Sequence, residues 1–105
     1  MESCLFCNIV KKELSAKIEY EDDDIIVIHD IQPKADIHLL IIPKEHIGSM
    51  INLYDRHVNL MGKIMLTTSK IAAKYGLEGY KVQINNGVKG GQEVFHLHVH
   101  LVGNK

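Results

Sequence analysis

The run FHLHVHLV at residues 95–102 places a histidine at every second position of an apolar segment. Side chains alternate between the two faces of a β-strand, so the pattern predicts a strand with His96, His98 and His100 on one face. Imidazoles about 7 Å apart on such a face can act on one small anion or on each other. A solvated strand face and a fortuitous metal-binding tract are the alternatives. Because histidine is a mediocre strand former, we favour a functional role.

Hydrophobic periodicity elsewhere predicts an α+β fold. A short helix is expected over residues 3–12 with Ser3 as its N-cap, and a long amphipathic helix over residues 52–75, ended by Gly76. Further strands are expected at residues 18–20, 25–29, 37–43 and 80–85. Because the chain offers too few crossovers for a parallel sheet, we predict a mainly antiparallel five-stranded sheet with one long and one short helix.

Size and charge limit the classes of function. A chain of 105 residues corresponds to a single domain, residues 1–105, and is small enough for pairing of two chains to add burial. The formal net charge of −1 provides no electrostatic reason to expect nucleic acid or an anionic membrane as a partner. The start of the sequence does not resemble a signal peptide and no run reaches membrane-spanning length, so we expect a cytoplasmic location.

The loop NNGVKGGQ at residues 85–92 lies just before the histidine run. Glycines allow backbone N–H groups to turn toward an anion, and the amide side chains add neutral donors. Alone, this loop could be an ordinary hairpin connection. Beside three imidazoles it is a candidate phosphate cradle, because a neutral imidazole can attack phosphorus to form a nucleotidylated histidine that water later resolves.

Three segments together resemble the histidine triad (HIT) superfamily, and within it the histidine triad nucleotide-binding (Hint) branch. They are HLHVHLV at residues 96–102, HDIQPKADIHLLIIPKEHI at residues 29–47 and GGQEVFHLHVHLVG at residues 90–103. The resemblance runs over nearly the whole chain. It implies a HIT-like fold in which a homodimer continues the sheet across its two-fold axis.

The resemblance also implies an activity, the hydrolysis of purine nucleoside phosphoramidates, in which the P–N bond between AMP and an amine is cleaved. His98 would be the nucleophile that takes up AMP, and His100 would hold and polarise the phosphate. His96 would support the triad, and His38 would complete the histidine network. No cofactor would be required for catalysis. Two alternatives remain open: a dinucleoside polyphosphate hydrolase, and a nucleotide-binding regulatory protein with weak activity.

The nucleotide partner (AMP, GMP or an adenosine phosphoramidate) would contact several further residues by the same resemblance. Asp30 would accept hydrogen bonds from the ribose hydroxyls. The phosphate would be contacted by Asn85, Gly91 and the backbone near Glu93 and Val94. The apolar residues expected to line the purine pocket are Phe6, Ile9, Ile28 and Ile31. For Phe6 and Ile9, plain core packing is an equally open interpretation.

The pair Cys4-x-x-Cys7 resembles zinc-bearing histidine triad proteins. In those proteins the two thiolates are joined by a histidine that corresponds to His46 and by the first triad histidine, His96. Two sulfur and two nitrogen ligands would form a closed, structural zinc site. The alternative is that both cysteines are simply reduced and that His46 is a surface residue. His29 and His57 belong to no motif and are expected to be solvent-facing or structural.

Overall fold

A five-stranded antiparallel sheet organises the protein in the computed structural model, which describes residues 4–105. Its strands are β1 (Ile18–Glu21), β2 (Ile25–His29), β3 (Ile37–Pro43), β4 (Lys81–Gln83) and β5 (Val99–Gly103). The strand order is β1-β2-β3-β5-β4, and each neighbouring pair is antiparallel. Two α-helices flank the sheet, α1 (Leu5–Val10) and α2 (Val58–Lys74). The predicted α+β class is confirmed.

The central strands are apolar on both faces because a helix packs on each. Alternate residues of β2 and β3, such as Ile25, Val27 and Ile41, join a core cluster with Ile64 and Ile71 of α2. The intervening residues face α1 and form a second cluster; its members are Phe6, Ile9, Ile26, Ile28, Leu40 and Ile42. Because side chains alternate along a strand, each central strand therefore contributes to two separate cores, one on each face of the sheet.

Helix α2 begins later than the periodicity predicts. Tyr54 is extended, with φ −120° and ψ 166°, and separates one short 3₁₀ turn, Met50–Asn52, from a second, Asp55–His57, which leads directly into the regular helix. Its C-terminal end agrees with the prediction: Gly76 has φ +67°, and its N–H donates to the Ala73 carbonyl while the Leu77 N–H donates to the Ala72 carbonyl. Among residues 4–105, no helix combines the length and the apolar character needed to cross a membrane.

The short helix α1 covers Leu5–Val10, a narrower range than the predicted residues 3–12. The expected N-cap, Ser3, lies outside the described residues. Within them, Cys4 is the N-cap residue, and its Sγ accepts a hydrogen bond from the Cys7 N–H at 3.3 Å. The fourth strand is likewise shorter than expected, because only Lys81–Gln83 pairs with β5.

The expectation that the whole histidine run forms one strand is wrong. Strand β5 begins at Val99, whose pairing with Ile41 is the last in the ladder although β3 continues to Pro43. Upstream of Val99 the backbone turns into a loop, where the Leu97 N–H donates to the Ile47 carbonyl at 2.6 Å. Of the three triad histidines, only His100 lies in a strand.

Candidate functional site

His98 and His100 stand side by side at the start of β5, with ring centroids 5.0 Å apart. The Nδ1–H of His98 donates to the His96 carbonyl oxygen at 2.7 Å, so the neutral ring carries its lone pair on Nε2. Burial lowers the pKa of His98 below its usual value, although the His96 carbonyl and the Asp30 carboxylate oppose this effect. At neutral pH the ring is therefore uncharged and keeps its lone pair on Nε2.

A chain of hydrogen bonds sets the tautomer of the neighbouring His100. His38 Nδ1 accepts from the Lys34 N–H at 3.0 Å, so the proton of the neutral ring is on Nε2. This Nε2 lies 3.0 Å from His100 Nδ1 and 3.4 Å from an Asp30 oxygen. Because Nδ1 of His100 accepts, its own proton is on Nε2. Burial, together with the neighbouring His98 and His38, lowers the pKa of His100 to about 4, and Asp30 opposes this shift.

The glycine-rich loop, which precedes the triad along the chain, contains a 3₁₀ turn, Val88–Gly90. Gly91 follows it with φ +81°, a left-handed conformation that favours glycine. Asn85 Nδ2 donates to the Gly90 carbonyl at 2.8 Å and so closes the loop on itself. The loop therefore has a defined shape, and Asn85, one of the predicted phosphate contacts, also maintains that shape.

Gln92 is the internal support of this loop. It is 5 % exposed; its Nε2 donates to the carbonyls of Gly48 at 2.7 Å and Val94 at 3.0 Å, and its Oε1 accepts from the Gly87 N–H at 2.8 Å. The sequence pattern suggests this amide as a donor to phosphate, but both of its N–H groups already bond to carbonyl oxygens. Gln92 therefore shapes the loop.

The four residues expected to bind zinc meet at the Nδ1 side of the His96 ring. The ligand atoms Cys4 Sγ, Cys7 Sγ, His46 Nδ1 and His96 Nδ1 all lie within 4.8 Å of one another. His96 Nδ1 is 3.4 Å from Cys4 Sγ, 3.5 Å from Cys7 Sγ and 3.3 Å from His46 Nδ1, and the distance from Cys7 Sγ to His46 Nδ1 is 3.2 Å. Four soft or borderline donors thus converge on one point.

These separations fit a tetrahedral zinc ion. With Zn–S of about 2.3 Å and Zn–N of about 2.0–2.1 Å, a tetrahedron separates two nitrogens by about 3.3 Å and a nitrogen from a sulfur by about 3.5 Å. His96 Nε2 lies 2.7 Å from the Pro43 carbonyl oxygen and donates to it, which directs the lone pair of Nδ1 into the cluster. Such an outer hydrogen bond is usual for histidines that bind a metal.

The structure separates the predicted nucleotide contacts into two environments. Phe6, Ile9 and Ile28 are buried in the cluster under α1, as the core-packing interpretation expects. Ile31, in contrast, is 94 % exposed directly after Asp30. Glu93 is exposed, and the neighbouring Val94 packs partly against the α1 cluster.

The two histidines without a motif are structural. His57 is 3 % exposed; its Nδ1 accepts from the Tyr54 N–H at 2.9 Å and its Nε2 lies 2.9 Å from Glu45. His29 Nε2 lies 3.0 Å from Glu19 Oε1, away from the triad.

Several supporting contacts carry no signal in the sequence. The Phe6 ring meets His98 edge to face at a centroid distance of 4.9 Å, and His96 at 6.0 Å. The backbone groups of Pro43 and Lys34 orient His96 and His38. No local pattern reports such contacts, because their partners come from separate segments.

Comparison with known proteins agrees with this geometry. Residues 3–105 match the family model described as scavenger mRNA decapping enzyme C-term binding. The chain is 47 % identical over 104 residues to Protein HitA of Neisseria gonorrhoeae, which covers 98 % of this chain and 97 % of that protein. A crystal structure of a HIT family hydrolase from Legionella pneumophila superposes with a TM-score of 0.94 at 42 % identity, over 96 % of this chain and 92 % of that chain.

Two further relatives bear on the cysteine and histidine cluster. The chain is 36 % identical over 104 residues to a 14 kDa zinc-binding protein of Brassica juncea, covering 96 % of this chain and 92 % of that protein. A Zn-bound histidine triad family protein from Mycobacterium smegmatis superposes with a TM-score of 0.85 at 32 % identity, over 98 % of this chain and 76 % of that chain. From its matched family model, its sequence relatives and its fold, this chain belongs to the histidine triad superfamily.

Proposed function

We propose that the protein is a hydrolase of purine nucleoside phosphoramidates that acts through a nucleotidyl-His98 intermediate. One observation carries the proposal. The Nδ1–H of His98 is engaged by the His96 carbonyl at 2.7 Å, so the lone pair of a neutral ring is on Nε2. An imidazole held in one tautomer beside a donor loop is suited to attack phosphorus. The name of the Legionella relative, a HIT family hydrolase, supports a hydrolytic reaction.

The proposed reaction has two steps. In the first, His98 Nε2 forms a bond to phosphorus, the P–N bond to the amine breaks, and the amine nitrogen takes up a proton from solvent. In the second, water adds to phosphorus, the Nε2–P bond breaks, and AMP and one proton are released. His100 Nε2–H donates to a phosphate oxygen in both transition states, and the His96 carbonyl stabilises the positive ring of the intermediate.

The nucleotide contacts extend this proposal. Asp30 has an oxygen that accepts from the Gln32 N–H at 2.8 Å, which fixes the carboxylate for contact with ribose hydroxyls. The exposed Ile31 offers apolar surface that a purine would cover. The phosphate would lie against Asn85, Gly91 and the backbone near Glu93 and Val94, and Phe6, Ile9 and Ile28 would form the inner wall of the purine pocket.

Assays of wild type and two variants test the activity. We expect wild type to release AMP from AMP-amide and His98→Ala to be slower by about 10,000-fold, the scale on which loss of a nucleophile acts. His29→Ala is the matched control, because this histidine bonds to Glu19 and lies outside the proposed site. Mass spectrometry of samples quenched without acid should detect AMP covalently bound to the wild-type protein only. Equal rates for wild type and His98→Ala would refute the mechanism.

The same assays separate the alternatives. Diadenosine polyphosphates would use the same nucleophile with a phosphate leaving group, and the matched family description names a decapping enzyme, so these substrates belong in the panel. A faster reaction with the polyphosphate than with AMP-amide would favour the dinucleoside polyphosphate hydrolase. AMP binding without hydrolysis of either substrate would favour a regulatory nucleotide-binding protein.

We also infer that Cys4, Cys7, His46 and His96 hold a structural zinc ion. The support is the tetrahedral spacing of their four ligand atoms and the names of two relatives that bind zinc. When bound, zinc would fasten the N-terminal residues to the loop after β3, and no catalytic step would pass through it. Metal analysis should find about one zinc per chain in wild type and a clear loss in Cys4→Ala; a metal-free wild type purified with zinc present would refute this inference.

A homodimer is proposed as the assembled form. Strand β4 is an edge strand whose residues are all exposed, and Tyr80 and Val82 remain 44 % and 41 % exposed there. An unpaired strand edge with exposed apolar side chains beside it is able to pair with a second copy and continue the sheet. Light scattering on the purified protein should give twice the chain mass of 11.9 kDa, and a monomer at micromolar concentration would contradict the proposal.

A further inference from the structure

His96 connects the cysteine and histidine cluster to the proposed nucleophile through a single residue. Its Nδ1 is a member of the cluster, 3.4 Å from Cys4 Sγ and 3.3 Å from His46 Nδ1. Its carbonyl oxygen is the acceptor, at 2.7 Å, that sets the tautomer of His98. Its Nε2 donates to Pro43 at 2.7 Å, so ring and backbone are held together. An interaction that fixes the His96 ring therefore also fixes the His96 carbonyl, which orients His98.

Helix α1 makes a second, independent connection. Cys4 and Cys7 lie on either side of Phe6, whose ring is 4 % exposed and packs edge to face on His98 at 4.9 Å. The helix has six residues, too few to be stable by itself, so its position depends on what its side chains bind. The two thiol groups that join it to His46 and His96 therefore also place the aromatic wall of His98.

We propose that the cluster of Cys4, Cys7, His46 and His96 is a positioning site for the nucleophile, in addition to stabilising the fold. A metal held by these four residues would lock the His96 carbonyl and the Phe6 ring at the same time. The His98 ring would then stay in the Nδ1–H form with Nε2 directed at phosphorus. Cys4, Cys7 and His46 are positioning residues in this scheme, and the inference rests on the proposed reaction at His98.

Metal removal from the full-length protein tests the coupling. Wild type is compared zinc-loaded, stripped by chelator, and reloaded, together with Cys4→Ala and His46→Ala. Leu5→Ala is the matched control on α1, because its side chain is 44 % exposed and offers no ligand. Three readouts are taken: circular dichroism for the fold, kcat and KM with AMP-amide, and the ring ¹⁵N signals of His98, which report the tautomer.

We expect the stripped protein and the two ligand variants to remain folded and to lose about 10- to 100-fold in kcat, with a smaller change in KM, because a misplacement of about 1 Å costs rates of this order. The His98 signals should move from the Nδ1–H form to a mixture. Reloading should restore both properties in wild type, and Leu5→Ala should match wild type throughout.

Two outcomes would overturn the inference. One is a stripped, folded protein that keeps kcat within twofold and unchanged His98 signals. The other is unfolding of the stripped protein while His46→Ala, still folded, keeps full kcat and the wild-type tautomer; the metal would then serve the fold alone. If zinc-loaded wild type fails to cleave AMP-amide, the proposed reaction fails, and the His98 signals still decide whether the cluster positions the ring.

Discussion

Replacing Gln92 with leucine should destabilise the protein through three lost hydrogen bonds. The buried amide donates to the Gly48 and Val94 carbonyls and accepts from the Gly87 N–H, and so joins the loop after β3 to the β4–β5 connection that contains the candidate phosphate cradle. Leucine has a similar volume but cannot bond to any of these groups. The variant therefore removes hydrogen bonds without opening a large cavity.

The size of the effect follows from those three bonds. Each bond contributes about 1 kcal/mol net, and a buried donor or acceptor left without any hydrogen-bond partner costs about 1–3 kcal/mol. The three groups are partly buried, so some would recover water, and burial of the leucine side chain offsets part of the loss. We expect the free energy of unfolding to fall by about 3 kcal/mol, a large share of the about 5–15 kcal/mol typical of a domain.

Urea unfolding at a fixed protein concentration measures this change. With a slope of about 2 kcal/mol per M, the midpoint should fall by about 1.5 M. Gln32→Leu is the matched control, because the same substitution at this exposed position should change stability by less than about 0.5 kcal/mol. A Gln92→Leu midpoint equal to that of Gln32→Leu would show that the three bonds do not hold the loops together.

Three further predictions concern pH, backbone conformation and a buried carboxylate. The folded pKa of His100, about 4, lies below its ordinary value of 6.5, so the unfolded chain binds more protons between these pH values and stability should fall as pH drops through that window. The full shift corresponds to about 3 kcal/mol, and partial exposure of the ring reduces this. Between pH 6.5 and 4, the free energy of unfolding of wild type, measured with urea, should therefore fall by about 1–2 kcal/mol more than that of His100→Asn. Equal pH dependence of the two proteins would contradict this prediction. Gly91→Ala should cost about 1–2 kcal/mol because φ is +81°, whereas Gly90→Ala, where an added Cβ meets nothing within 4 Å, should be nearly neutral in thermal unfolding. Tyr75→Phe removes the hydroxyl that donates to Glu19, and should lower stability by about 1 kcal/mol in urea; an unchanged midpoint would show that this bond contributes nothing.

The strands and the helix end were readable from local pattern. Residues 25–29 and 37–43 were predicted at the bounds observed, because apolar runs ended by Asp30 and Pro43 mark buried strands directly. Gly76 was predicted as the left-handed C-cap and has φ +67°. Such signals are local, since a strand or a cap is specified by residues within a few positions.

The start of α2 and the extent of β5 were misread for one physical reason. A periodic pattern of apolar or histidine residues can extend beyond the helix or strand into a segment whose backbone bonds to a different partner. His57 fits the helical period, yet its buried ring contacts Glu45 instead of joining the helix core. The regular helix begins one residue later, at Val58. The alternation of the histidine run likewise extends upstream of Val99, where the chain has left the β3 ladder and the Leu97 N–H bonds to the Ile47 carbonyl instead.

By itself, the sequence determined which residues could carry chemistry. The alternating histidines, the paired cysteines and the glycine-rich loop identified the candidate residues, because residue type and spacing limit what each can bind. Only the tertiary structure decided what each ring does. His96 turns to the cysteines while His98 and His100 remain together, and their tautomers are set by carbonyl and N–H groups of distant segments. The position of a proton on an imidazole depends on the partner of its other nitrogen, and that partner is supplied by the folded chain.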